Sequence, residues 1–459
     1  MFQTKTYHVV NFFMLYLIAM TTTSHAEDTL VHTPKFLRSV IALGDTMPGE
    51  MYGIYGQFTF VDQWHPEFRA PYSGGNSLDP KKSNDETSDI TLMLGRKLWK
   101  GAEFWINSEI DQGFGLSNTV GVAGFPSGEA YKIGANTPYL RIPRAFIRQV
   151  FALNGLQENI ETLPNQFGGQ HPLNNLTVTL GKFSVADIFD TNTYAHDPRS
   201  DFFNWSIIDS GAFDYAADSW GFTYGAAAEL NHNWWTLRGG LFELSKVPNG
   251  KIIVPSLDQY SLVAEAEERH QLFNRPGKLK ILAFVNRGEM ASYQDATQLA
   301  QQTRTIPNVS LVRRFASRPG FAVNLEQALS SDLGIFARLS ANDGSKEAYE
   351  FSDINKSFAA GLSLHGVRWG RPNDVLGIAG VVNGLSTAAK EYFSAGGMGV
   401  LVGDGLLNYG AEKIMENYYA IQLTSALNIT LNYQYVTNPG YNRDRGPVSI
   451  YGVRIHTIF

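Results

Sequence analysis

The chain has no cysteine, so neither a disulfide framework nor a thiolate metal site can hold it together. Charge is also sparse. Only 17% of residues are Asp, Glu, Lys or Arg, and the net charge is −6, which argues against a nucleic-acid partner needing a basic footprint. Beyond the N-terminal segment, no apolar run approaches the ~18–20 residues of a membrane-spanning helix. There is no GxSxG serine elbow and no HExxH pair, and the ten histidines are scattered. "DTNTYAHDPRSD" is rich in oxygen ligands but lacks the spacing and closing Glu of an EF-hand. No catalytic residue, metal or cofactor is expected.

What the chain has is alternation. "MYGIYGQFTFVD" puts Tyr52, Ile54, Phe58 and Phe60 on one face, with Gln57 and Thr59 on the other. "GAEFWINSEIDQ" sets Phe104, Ile106 and Ile110 against Asn107, Glu109 and Asp111. "ALNITLNYQYVTN" and "LGIFARLSAN" repeat the pattern. The segments run about 9–12 residues, the length of a tilted membrane-spanning strand. Sixteen are expected, roughly at 51–62, 88–96, 102–113, 141–153, 175–183, 220–230, 233–244, 260–270, 277–287, 320–329, 332–341, 355–365, 374–384, 410–424, 426–436 and 448–459. Short and long connections alternate between them. The stretch 154–174 breaks the alternation: either the strand count is off there, or a periplasmic turn carries an extra element.

These observations predict an all-β fold: a transmembrane antiparallel β-barrel of about 16 strands. In lipid only a closed sheet satisfies every backbone group, and at this strand number the lumen is too wide for side chains to fill. Lys5, the apolar "VVNFFMLYLIAM" and the small residues Ser24 and Ala26 have the form of a secretory signal peptide. The expected organisation is a signal peptide over 1–26, an N-terminal periplasmic segment over 27–50 and an outer-membrane barrel over 51–459.

In "RIPRAFIRQVF", Arg144 and Arg148 share parity with Phe146 and point inward, because arginine on the lipid side costs about 2–4 kcal/mol at the midplane. Beside inward Glu109 and Asp111 they either brace the wall or contact solute. Arg238, Glu326, Arg338, Glu412 and Glu416 also fall on inward faces. The connection 183–219 is long and rich in aromatics and Asp, so a role in narrowing the lumen is expected. Phe202, Phe203, Trp205 and Phe213 need burial, and the lumen is the available place. Asp197, Arg199 and Asp201 can pair with wall charges or build turns. The ring of Trp205 is the best candidate for stacking on a sugar, and the candidate solute-contact residues are Arg144, Arg148, Glu109, Asp111, Trp205, Arg199, Asp197 and Phe203. "STAAKEYFSAGG" predicts a short helix with Gly396 near its C-cap. At the end of the chain, Tyr451, Val453, Ile455 and Phe459 face lipid, while Arg454 and His456 face the lumen. The last strand is expected to close on the first.

Long stretches resemble the OprB family of carbohydrate-selective porins. They include "EIDQGFGLSNTVGVAGFPSGEAYKIGANTPYLRIPRAFIRQVFALNG", "LGKFSVADIFDTNTYAHDPRSDFFNWSIIDSGAFDYAADSWGFTYGAAAEL" and "YQYVTNPGYNRDRGPVSIYGVRIHTIF". The resemblance implies a sixteen-stranded barrel in the outer membrane of a Gram-negative bacterium, passing monosaccharides such as glucose by facilitated diffusion. It also implies an eyelet of arginines, acidic groups and aromatics, whose motifs here hold Arg144, Arg148, Glu109 and Trp205. Partners are then a carbohydrate solute, outer-membrane lipids and the barrel assembly machinery, which reads a terminal aromatic strand such as this one. A homotrimer and a monomer both remain open. The alternatives are a general or anion-favouring pore and a non-transport adhesion or structural barrel.

Overall fold

The computed structural model describes residues 51–351 and 353–459. The expected signal peptide (1–26) and the expected periplasmic segment (27–50) lie outside the described residues. Sixteen antiparallel strands close into one barrel. They are β1 (Tyr52–His65), β2 (Ser83–Trp99), β3 (Ala102–Gly113), β4 (Ala135–Ala152), β7 (Asn175–Phe183), β8 (Thr223–His232), β9 (Trp235–Glu243), β10 (Tyr260–Leu272), β11 (Arg275–Met290), β12 (Arg314–Ala328), β13 (Leu333–Asn342), β14 (Lys356–Gly366), β15 (Arg371–Gly384), β16 (Glu412–Gln422), β17 (Leu427–Thr437) and β18 (Val448–Ile458). Between β4 and β7 a separate hairpin forms, β5 (Gln157–Ile160) with β6 (Gly169–Pro172). The connection 154–174 therefore carries an extra element, and the count of sixteen stands.

Strand alternation sorts the side chains as the pleat demands. Leu92, Ile110, Leu180, Leu237, Ile281, Leu339, Ile378, Met415 and Leu431 are exposed on the outer face. Trp99, Trp234, Phe273 and Trp369 stand exposed at the short-turn rim, as an interfacial aromatic girdle requires. That rim carries the turns 100–101, 233–234 and 273–274 and is the periplasmic one by the usual asymmetry of such barrels. Apart from the 153–174 connection, which leaves from this same rim, the long connections are at the other end. Among the described residues no helix is long and apolar enough to cross a membrane.

Closure is between β1 and β18, with Phe60 opposite Ile455 and Trp64 opposite Tyr451. Phe459 continues this pairing: its N–H donates to the Gly56 carbonyl at 2.9 Å, and its carbonyl accepts from Gly56 N–H at 2.7 Å. Its ring covers Gly56 so closely that no Cβ would fit there. Arg454 is buried and faces inward, as its parity predicts.

Several boundaries shift. The fourth strand begins at Ala135 and the tenth barrel strand at Arg314, earlier than 141 and 320, because both continue beyond the alternating stretch. The strand expected from 220 begins at Thr223. Asp218 holds the preceding residues in a tight turn, its side chain accepting from Trp220 N–H at 3.0 Å, with Gly221 at φ +98°. The helix expected around Gly396 is present over Thr387–Ser394, capped by Ser386. A further helix, Tyr293–Thr303, follows an N-cap at Ser292. Its first turn is capped by the Ser292 hydroxyl, which accepts from Asp295 N–H at 3.3 Å.

Candidate functional site

Two outer connections fold into the barrel: the β3–β4 loop (114–134) and the β7–β8 loop (184–222). The second was expected to do so and the first was not. Phe202, Phe203, Trp205 and Phe213 are all buried. The inward-facing polar groups of the far wall hold both loops. Arg338 donates to the carbonyls of Ile207, Ala195 and Asp190 at 2.8, 2.7 and 3.1 Å. Arg454 donates to those of Pro198, Ser200 and Asp201 at 2.6, 2.8 and 3.0 Å. Glu416 accepts from the N–H groups of Phe203 and Asn204 at 2.6 and 2.9 Å. Glu412 does the same for Ala123 and Gly124 at 2.9 and 2.8 Å. Glu326 accepts from Thr193 N–H at 2.7 Å. These wall residues tether the constriction, since a loop inside the barrel needs partners for its backbone groups. Arg238 instead pairs with Glu229, Glu265 and Glu267 along the wall.

The loops leave a cavity of about 430 Å³ against β4. Arg141, Arg144 and Arg148 descend its wall, and Glu129, Lys132, Asp187, His196, Asp197, Arg199, Trp205 and Phe222 face them. Each guanidinium is held by carboxylates. Arg144 makes a two-point pair with Asp187 at 2.8 and 2.6 Å. Arg148 meets Glu103 at 2.6 Å. Arg199 sits 3.3 Å from Glu129, 3.4 Å from Glu109 and 3.6 Å from Asp89. Arg141 binds both Glu109 and Asp111. Phe222 lies under two of them, its ring centre 5.1 Å from Arg141 and 4.8 Å from Arg144.

Arg141 was hidden from parity. Asn107 pairs with Arg144 and Glu109 with Arg141, so β4 spends two residues where β3 spends one. This bulge contains Pro143 and turns Arg141 to the inner face. A proline within a barrel strand was the available signal.

The expected site residues divide. Arg144, Arg148, Asp197, Arg199 and Trp205 line the cavity. Glu109 and Asp111 are fully buried behind Arg141 and Arg199 and orient them. Phe203 is not a lining residue: its ring packs 4.5 Å beneath the Arg454 guanidinium, at the loop's anchor. Trp205 is 7% exposed, and Phe125 stacks on its ring at 5.0 Å and 16°, so it meets the cavity with little of its surface. Asp197 also builds its own turn, accepting from Arg199 N–H at 2.9 Å.

Electrostatics in the folded-in loop follow from these pairs. Burial opposes charge on Asp187, yet Arg144 outweighs it and holds this carboxyl below the usual carboxylate range. Asp197 behaves likewise beside Arg199. For His196, burial would lower the pKa, but Asp209, 3.7 Å away, turns the net shift upward.

A family profile described as carbohydrate-selective porin, OprB family, matches residues 75–459. Among solved structures, OprB of Pseudomonas putida in its high-pH form aligns with a TM-score of 0.68 at 16% identity, over 89% of this chain and 94% of that one. The outer membrane channel DcaP of Acinetobacter baumannii aligns with a TM-score of 0.48 at 11% identity, over 89% and 97%. No curated protein matches the chain in sequence.

Proposed function

Because the chain belongs to the carbohydrate-selective porin, OprB family, and is thereby an outer-membrane sugar porin, we propose that its solutes are monosaccharides, drawn passively past the arginines of β4. The observation that carries this reading is the set of arginines on one wall, each held rigid by carboxylates and bordered by aromatic rings. A sugar ring presents hydroxyls that accept from Arg144, Arg148 and Arg199 and donate to carboxylates such as Asp187 and Asp197. Its C–H faces pass over Phe222 and the exposed edge of Trp205. Fixed donors exchange with water at little reorganisation cost, and weak serial contacts keep the solute moving. An anion-favouring pore is the poorer reading. Asp89, Glu103, Glu109, Asp111, Glu129 and Asp187 all pair with Arg141, Arg144, Arg148 or Arg199, so the eyelet guanidiniums hold no excess of positive charge.

The same proposal takes residues 1–26 as a signal peptide and Phe459 as part of the address read by the barrel assembly machinery. The test is swelling of proteoliposomes in isosmotic sugars. Fast swelling in glucose with slow swelling in sucrose is expected. Equal rates for both sugars, or none for either, would overturn the assignment.

A further inference from the structure

The long turn between β4 and β7 does not hang free of the barrel. It starts on the periplasmic rim, where Leu153 N–H donates to the Asn174 carbonyl at 2.9 Å. Its tip, "LPNQ", is a tight turn: Leu163 and Gln166 exchange backbone hydrogen bonds of 3.1 and 3.0 Å, and Asn165 has φ +63°. The tip is tied to the lumen wall. Glu103 on β3 accepts from Phe167 N–H at 3.1 Å and from Arg148 at 2.6 Å. Arg148 also donates to the Asn165 carbonyl at 2.8 Å.

Phe167 is 3% exposed and packs on Trp105, with ring centres 4.9 Å apart. Trp105 points inward from β3 and is fully buried. It lies against Gly53 of β1 and Gly95 of β2, where a Cβ would collide with the indole. The wall is thus shaped for an aromatic pair that seats this turn. Leu163, Pro164, Asn165 and Gln166 line the same cavity as Arg144 and Arg199.

We propose that this turn is a second constriction at the periplasmic side, and that Asn165 and Arg148 help set the size limit of the solute as it leaves. The proposal rests on the channel reading above. A solute that has passed the folded-in loops still has to pass a fixed tip built from the opposite rim. Arg148 couples the two, because one guanidinium both holds the turn and completes the arginine series of β4.

The chain's lack of cysteine makes the test direct. Asn165→Cys supplies a unique thiol, and Asn274→Cys, in the periplasmic β10–β11 turn, supplies a control. Single-channel current is recorded while a charged methanethiosulfonate is added on the periplasmic side. Modification at 165 is expected to cut the current at least about twofold, as narrowing a fixed pore does, and modification at 274 is expected to leave it unchanged. Confirmed labelling at 165 with unchanged current would overturn the proposal. In a second variant, Phe167→Ala with Glu103→Gln, the turn loses its seat. Faster swelling in sucrose is expected there, and an unchanged sucrose-to-glucose ratio would count against the turn. If the unmodified protein neither conducts nor passes glucose, the channel reading fails instead, and the two failures are distinct.

Discussion

Arg144 on β4 grips Asp187 of the β7–β8 loop through two parallel hydrogen bonds of 2.8 and 2.6 Å. One pair therefore fixes the loop to the wall and aims a guanidinium along the passage. A bidentate pair of this kind carries geometry as well as energy. Arg144→Ala removes both. A hydrogen bond to a charged group is worth about 1.5–3 kcal/mol when buried and less beside water, so glucose affinity should fall about fivefold. Open-channel conductance should rise as the loop loosens. Titration of current block by glucose measures both.

Glu416 tests the tethering of the constriction separately from solute contact. It accepts from two loop N–H groups and from Asn432 at 2.6 Å, and it does not line the cavity. Glu416→Ala strands buried donors, each costing about 1–3 kcal/mol. The barrel should still close, because its ladder is untouched, while the channel becomes wider and noisier. Preserved heat-modifiable migration on a gel, together with raised conductance, is the expected pair of results.

Trp205 contributes mainly as packing under Phe125, with a narrow edge towards the passage. Trp205→Ala should weaken glucose block several-fold while the barrel stays folded. Unchanged block would remove Trp205 from the site.

His196 gives the eyelet a pH dependence. Its pKa is raised in the folded state, because Asp209 outweighs burial. The stability it contributes is therefore full below its unfolded value near ~6.5 and is lost as pH rises through the higher folded value. Protonation adds one positive charge beside the passage, so anion preference should increase as pH falls through that folded value. Reversal potentials across a salt gradient, measured against pH, should show the step in the parent protein and lose it in His196→Gln.

Phe459 pairs by its backbone with Gly56 and covers it with its ring. Deleting Phe459 removes both contacts at the β1–β18 seam. The yield of assembled barrel in the outer membrane should drop. Normal yield would separate the terminal aromatic from assembly.

The barrel was legible because lipid and water impose a period of two on every strand, and Tyr52 to Phe60 or Leu427 to Tyr435 keep it without interruption. The inward placement of Arg144 and Arg148 followed from the same rule. Arg141 did not, since the bulge at Pro143 breaks parity where the rule was being applied. The roles of Glu109 and Asp111 were also out of reach. Parity gives the face of a side chain, but what stands in front of it depends on loops distant in sequence. The β3–β4 loop went unrecognised because its Gly-rich stretch carries fewer of the aromatics that marked the β7–β8 loop. Its inward fold depends on Glu412, nearly 300 residues away, at 2.9 Å from Ala123 N.

The central claim is that neutral sugars bind weakly on the arginine wall while passing through. Its most direct test is current through single channels in a planar bilayer as glucose is added. The account predicts saturable block by glucose, weakened in Arg144→Ala and Arg199→Ala, with no strong preference for anions in the parent channel at neutral pH. Steady conduction that glucose never reduces, paired with strong anion selectivity, would contradict it.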